Sequence, residues 1–259
     1  MNRQPAVAGS FYPANPQQLQ QMLGEYLQAA DINAKAPKAI IAPHAGYIYS
    51  GAIAASAYSR LKSVRHIIKR VVIVAPSHRV AFQGLALSEA EHFITPLGSI
   101  PVDQQSAQAL SQLPFVYYLE QAHAQEHSLE VHLPFLQMML DDFCIVPIVA
   151  GNATPEQVSA VLQALWGGEE TLIVISSDLS HYQDYATAQR LDQATSKVIE
   201  KLQYEQLDFE AACGKIPVCG LLKLARDHSL TVKNIDLRNS GDTAGDKQRV
   251  VGYGAYIIE

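Results

Sequence analysis

The sequence predicts an α/β fold: one domain with a mostly parallel, mixed central sheet and helices on both faces. Three observations carry that expectation. Four apolar runs, KAIIAP (38–43), VVIVA (71–75), CIVPIV (144–149) and TLIVI (171–175), are rich in β-branched residues and lack polar alternation. Strands of that kind are buried on both faces, as in parallel sheets. Helix-period segments separate them in β-α-β order, and no linker-like stretch divides residues 1–259.

Each element has a local reason. Asn15-Pro16 opens a first helix, because Asn caps and Pro fits the first turn. Leu19, Met22, Leu23 and Tyr26 then recur at helical spacing and form its buried face. The strand 38–43 runs into His44, and a small-residue helix follows over about 51–61. The strand 71–75 runs into Pro76-Ser77-His78. Residues 84–102 carry strand and turn signals and read as a hairpin excursion from the main sheet. Helices are expected over 103–113 and 129–140, then the strand 144–149. Thr154 caps a helix reaching Trp166, with Glu156 near its positive end. The strand 171–175 closes on Ser176-Ser177-Asp178, and a long helix covers 185–202. Shorter helices flank the Cys213-Gly214 turn. Strands over 230–237 and 249–258, joined by the polar loop NSGDTAGDK, complete the sheet.

Composition narrows the function classes. Hydrophobic residues are 48% and charged residues 17%, which is enough apolar material for a full core and excludes a disordered chain. The net charge is −6 and no Lys/Arg run occurs, which argues against nucleic-acid or anionic-membrane partners. The N-terminal MNRQPAVAGSFYP has no apolar export signal, and no run reaches membrane-spanning length. Cys144, Cys213 and Cys219 form no CxxC pair. A reducing cytoplasm is the expected location.

In open α/β sheets, ligands sit outside the carboxyl ends of the strands. That rim collects His44, then Ser77 and His78, then Asp178 with His181 one helical turn on. A single His after a strand is ordinarily a loop residue. Three strand exits that each deliver an imidazole point to a shared polar pocket. Ser77, Ser176 and Ser177 read as strand-end caps, since no GxSxG elbow is present.

A second cluster is EHSLEVH (126–132). Its spacing is not HExxH, so a zincin reading fails. Glu126 or His127 is expected to line the pocket; the bland alternative is an amphipathic helix with solvated acids. Cys144 and Cys219 lie in apolar surroundings and read as packing. Cys213 is a turn residue beside Gly214, Lys215 and Pro217, and a helix start and a lysine both favour thiolate. Two imidazoles with a carboxylate suit non-haem Fe(II), and with a thiolate suit zinc or Cu(I), so ligand type leaves the metal open.

The segments AGSFYP, IAPHAGYIYSG, APSH, EHSLEVHLPFL, SSDLSHY and ACGKIP, in this order over nearly the whole chain, resemble the Memo family, the AmmeMemoRadiSam system protein B group. The resemblance implies a fold similar to class III extradiol dioxygenases of the LigB type. Those hold iron with two His and one Glu and use a further His as acid/base. It further implies metal ligands at His44, His78 and Cys213, Cys213 standing at the dioxygenase carboxylate position, with His181 as acid/base beside Asp178. Phe11 stands where the N-terminal motif often has Trp. The expected cofactor is a divalent metal, iron first, with copper or zinc as alternatives. A thiolate supplies the charge of the carboxylate but is softer and oxidisable, which points away from ordinary extradiol ring cleavage. The group name also implies a pathway link to radical-SAM and AMMECR-type proteins.

Three readings follow. The first is a metal-dependent oxidoreductase on an unidentified small substrate. The second is a non-catalytic peptide- or protein-binding module that retains the dioxygenase-like pocket. The third is a hydrolase using zinc-activated water.

Overall fold

The structure, a computed structural model, describes residues 1–30 and 34–259. In chain order the elements are β1 (Asn2–Arg3), α1 (Pro16–Ala29), β2 (Ala39–Ala42), α2 (Tyr47–Tyr58), β3 (Arg70–Pro76), β4 (Leu85–Leu87), β5 (His92–Thr95) and β6 (Gly98–Pro101). They continue with α3 (Gln104–Leu110), β7 (Val116–Tyr118), α4 (Glu120–Ala124), α5 (Leu133–Met139), β8 (Cys144–Ala150), α6 (Pro155–Ala164), β9 (Thr171–Ser176) and β10 (His181–Gln183). The last four are α7 (Tyr185–Glu200), α8 (Lys215–Asp227), β11 (Val232–Asn239) and β12 (Val250–Ile258).

The heart of the sheet is the parallel block β2-β9-β3-β8. These are the four apolar runs of the sequence, and their residues alternate between two helical layers. Ile40, Val71, Ile73 and Val174 share one core with Leu19, Leu23, Ile53 and Phe135. Ile41, Val72, Val74 and Ile175 share the other with Val158, Val161, Leu221 and Leu222. Period-two alternation with both faces covered is why no polar residue interrupts these strands. Antiparallel strands make the sheet mixed. β4 joins the edge of β8, and β12 joins the edge of β2 while pairing β11 along its length.

The caps form as their residues dictate. The Asn15 side chain accepts from Gln18 N, and Thr154 with Gln157 forms a full capping box. Differences from the sequence expectation are local. The second helix starts at Tyr47 rather than near Gly51 and ends in a 3-10 stretch, Ser59–Val64. The helix expected over 129–140 begins as a 3-10 turn, Glu130–His132, before α5. The excursion over 84–102 divides: β4 enters the main sheet, whereas β5 and β6 form the hairpin of a small sheet whose third strand is β1. His181 does not follow Asp178 on a helix. It opens β10, which pairs with the start of β12 through an irregular register. Among the described residues, no helix is long and apolar enough to cross a membrane.

Candidate metal centre

Parallel direction places the ends of β2, β3 and β9 at one rim. His44 leaves β2, His78 leaves β3 and Asp178 leaves β9. The turn before α8 brings Cys213 to the same point, 3.4 Å from His44 Nε2 at its Sγ. That approach needs Gly214. A Cβ there would stand 2.3 Å from Ser176 O and 2.6 Å from Ser177 Cβ, so only glycine lets the turn lie against the end of β9.

The hydrogen bonds fix which ring nitrogens face the centre. Ser176 Oγ donates its one hydrogen to Ser128 O at 2.7 Å, so at 2.6 Å it accepts from His44 Nδ1. His44 Nε2 is thereby left with a free lone pair toward Cys213. His78 Nδ1 lies 2.9 Å from Glu126 Oε1, and His78 N donates to Glu126 Oε2 at 2.6 Å. A carboxylate accepting from Nδ1 leaves the Nε2 lone pair free. Imidazoles tied back in this way are oriented and made more basic for metal binding.

One ligand atom each from His44, His78 and Cys213 lie within 4.8 Å of one another, a group that could hold a metal ion. Bond lengths of about 2.0 Å to nitrogen and about 2.3 Å to sulfur around a tetrahedral ion put those atoms about 3.5 Å apart. The 3.4 Å between His44 Nε2 and Cys213 Sγ meets that condition. The donor set, two imidazoles and one sulfur, suits iron, copper or zinc. A second group, His78, Glu126 and His127, also lies within 4.8 Å. It fits less well, because Glu126 Oε1 already accepts from His78 Nδ1, His127 N and Ser128 N.

Burial disfavours the charged form of His44, His127 and His181. Burial and the neighbouring His78 and His127 hold the His44 pKa well below its usual value. Burial likewise lowers His127, to about 4. Burial opposes charge on Glu126, yet the hydrogen bonds from His78 and Ser128 prevail and hold it at about 2. Asp178 is raised to about 7 by burial, although its Oδ1 accepts from His44 N at 2.8 Å. Cys213 departs from the expected low-pKa thiolate. Burial and the charge of Asp178 push its thiol up, and the Lys215 ammonium lies over the Phe209 ring rather than at the sulfur. A bound cation reverses this balance, since a coordinating thiol is deprotonated.

A cavity of about 930 Å³ opens onto these groups. Phe11 and His127 line it, with ring centroids 4.7 Å apart. His181 and Asp178 also line it, and burial holds the His181 pKa below its usual value. Glu126 lies one layer behind the wall, 1% exposed, bonded to His78; it is not a solvated acid. Glu130 is also fully buried. It accepts from Arg3, Tyr12, Ala6 N and Val7 N, which docks the N-terminal arm and its Phe11. Sequence reasoning missed the supporting Ser176–Ser128 pair and the wall residues Arg79, Tyr182, Arg249 and Tyr253. Residue type alone carries no signal for those. For Glu130 a signal existed, a carboxylate inside the apolar run SLEVHLPF.

The family described as Memo-like protein matches residues 3–257. The chain is similar to a MEMO1 family protein of Aquifex aeolicus, 35% identical over 262 residues and 97% of each chain. A MEMO1 family protein of Sulfolobus acidocaldarius is 35% identical over 282 residues and 98% of each chain. One of Archaeoglobus fulgidus is 35% identical over 267 residues and 99% of each chain. Motifs spread from the N-terminal arm to the Cys213 turn, and similarity over the full length, make this chain a member of the Memo family.

Proposed function

We propose that the protein is a metal-dependent oxidoreductase acting on a small substrate bound in the 930 Å³ cavity. The observation that carries this reading is the convergence of His44 Nε2, His78 and Cys213 Sγ, with both Nδ1 atoms tied back by Ser176 and Glu126. His44, His78 and Cys213 hold the ion. When bound, the metal supplies Lewis acidity and, if it is iron or copper, redox capacity. His181 lines the cavity uncharged and is the base that takes a proton from a substrate hydroxyl. Asp178 keeps Oδ2 4.0 Å from His44 Nε2 and, near pH 7, holds or releases a proton there. A cytoplasmic setting suits the three free cysteines.

The test is purification without air, metal analysis and oxygen uptake. Redox-active metal at one per chain with substrate-dependent O₂ consumption is the expected result. His78→Ala lowers metal affinity at least about tenfold, because one of three protein ligands is lost. Undiminished metal in that variant sinks the ligand assignment. Stoichiometric zinc with turnover that consumes no O₂ favours the hydrolase reading. A second reading, a peptide-binding module, draws support from the aromatic residues lining the cavity, Phe11, Tyr49, Tyr253 and the 64% exposed Tyr182. Absence of metal together with peptide binding unaffected by His44→Ala favours it.

A further inference from the structure

The outer wall of the cavity carries two cations with no assigned task. Arg79 and Arg249 both line it and both are exposed. Among the described residues, neither forms an ion pair, although the chain as a whole is acidic, with a net charge of −6. Arg79 follows His78 in the chain and lines the same cavity. Arg249 precedes β12, and its guanidinium lies over the Tyr182 ring, 5.1 Å from the centroid. A guanidinium stacked on an aromatic face keeps its N–H edge free, and that planar edge matches a carboxylate.

The stacked ring is itself held by an unusual backbone. Tyr182 has φ +60, in the region that L residues with side chains avoid, at the irregular pairing of β10 with β12. That conformation costs about 1–2 kcal/mol. The kink leaves the Tyr182 ring 64% exposed at the cavity mouth while His181 also lines the cavity. Phe11, Tyr49 and Tyr253 supply further aromatic wall. The acids on the same wall have other bonds. Asp246 Oδ1 accepts from Gln248 N and Arg249 N, and Asp178 Oδ1 accepts from His44 N.

From this we infer that the cavity is selective for a planar aromatic carboxylate, its ring against Tyr182 and its neighbours and its anionic group on Arg249 and Arg79. The inference deepens the proposed function and rests on its reading of this cavity as the substrate site. In a chain of net charge −6, the two arginines place positive charge at this mouth, so they confer selectivity as well as affinity.

The test uses the full chain with fluorine NMR titration of 4-fluorobenzoate and its neutral isostere 4-fluorobenzamide. The wild-type protein binds the benzoate about tenfold more tightly, the effect expected of one charge-assisted hydrogen-bond pair. In Arg249→Met and in Arg79→Met the preference falls, to about twofold or less in the double variant, while far-UV circular dichroism stays unchanged. Equal affinities in the wild type, no binding of either probe, or a preference that survives both substitutions overturns the inference. Metal content is measured on the same samples. Wild-type protein that holds no metal yet keeps the benzoate preference sinks the metal reading and leaves the anion site standing. Metal retained with no preference does the reverse.

Discussion

The side chain with most leverage over the candidate centre touches no substrate. Ser176 accepts from His44 Nδ1 and donates to Ser128 O, so a single hydroxyl sets the tautomer that points a lone pair at Cys213. Ser176→Ala keeps the fold and lowers metal affinity about 10- to 100-fold, the usual range for losing the partner of a metal-binding imidazole. Competition with a chelator of known affinity measures it, and an unchanged affinity removes the serine from the site. The rim residues were readable because each follows an apolar strand abruptly: His44 after AIIAP, His78 after VVIVAPS, Asp178 after TLIVISS. Cys213 was readable as a turn residue, but its ionisation was not. The expected Lys215 influence depended on where an ammonium on a four-carbon stem points, and it points at Phe209. Ser176, Arg79 and Arg249 gave no sign, because a hydroxyl at a strand end and an arginine in a loop are ordinary until three dimensions supply their neighbours.

At the scale of elements, the junction of β9 with the start of α8 decides whether the sulfur reaches the imidazoles. Gly214→Ala would drive a methyl into Ser176 O and Ser177 Cβ, both held in a fully buried strand end that has little room to yield. The expected cost is about 1–3 kcal/mol, as for other overpacked sites. Metal binding weakens in parallel, because Cys213 is carried outward. A variant with wild-type denaturation midpoint and metal affinity would show that the turn relaxes. The long apolar strands were legible because burial on both faces leaves one kind of sequence. The short strands β1, β7 and β10 were not. Each spans two or three residues, too few for a period to show, and β10 is bent at Tyr182. The 3-10 start of the helix expected from Leu129 gave no sign either: Glu130 and His132 are polar, yet both are buried and bonded to Arg3 and Tyr58.

Across the whole molecule, buried charge and buried neutral imidazole set the stability. Arg3 and Glu130 pair in the interior, and Arg3 also donates to His123 O and Glu126 O. Glu130→Ala leaves the guanidinium buried without its partner and costs about 3–5 kcal/mol, read as a shifted urea midpoint. A loss below 1 kcal/mol would show that the arm stays docked by apolar contact alone. His123 and His132 are held uncharged by burial, near pKa 4 and 3 against the usual 6.5. As pH falls below 6.5 the unfolded chain takes up protons that the folded chain refuses, so stability declines through that window toward pH 3–4. His132→Gln flattens the slope by about 1.4 kcal/mol per pH unit below 6.5; an unaltered slope assigns the acid sensitivity elsewhere. The walls of the cavity come from Phe11 at one extreme of the chain and Tyr253 near the other, with β2, β3 and β9 between them. No fragment can present this recess, and whatever settles into it clasps segments that unfolding must separate. Occupancy is therefore reported by the melting of the entire fold, rising as RT ln(1 + [L]/Kd). A library of metabolites can thus be sorted by thermal shift before any reaction has been named.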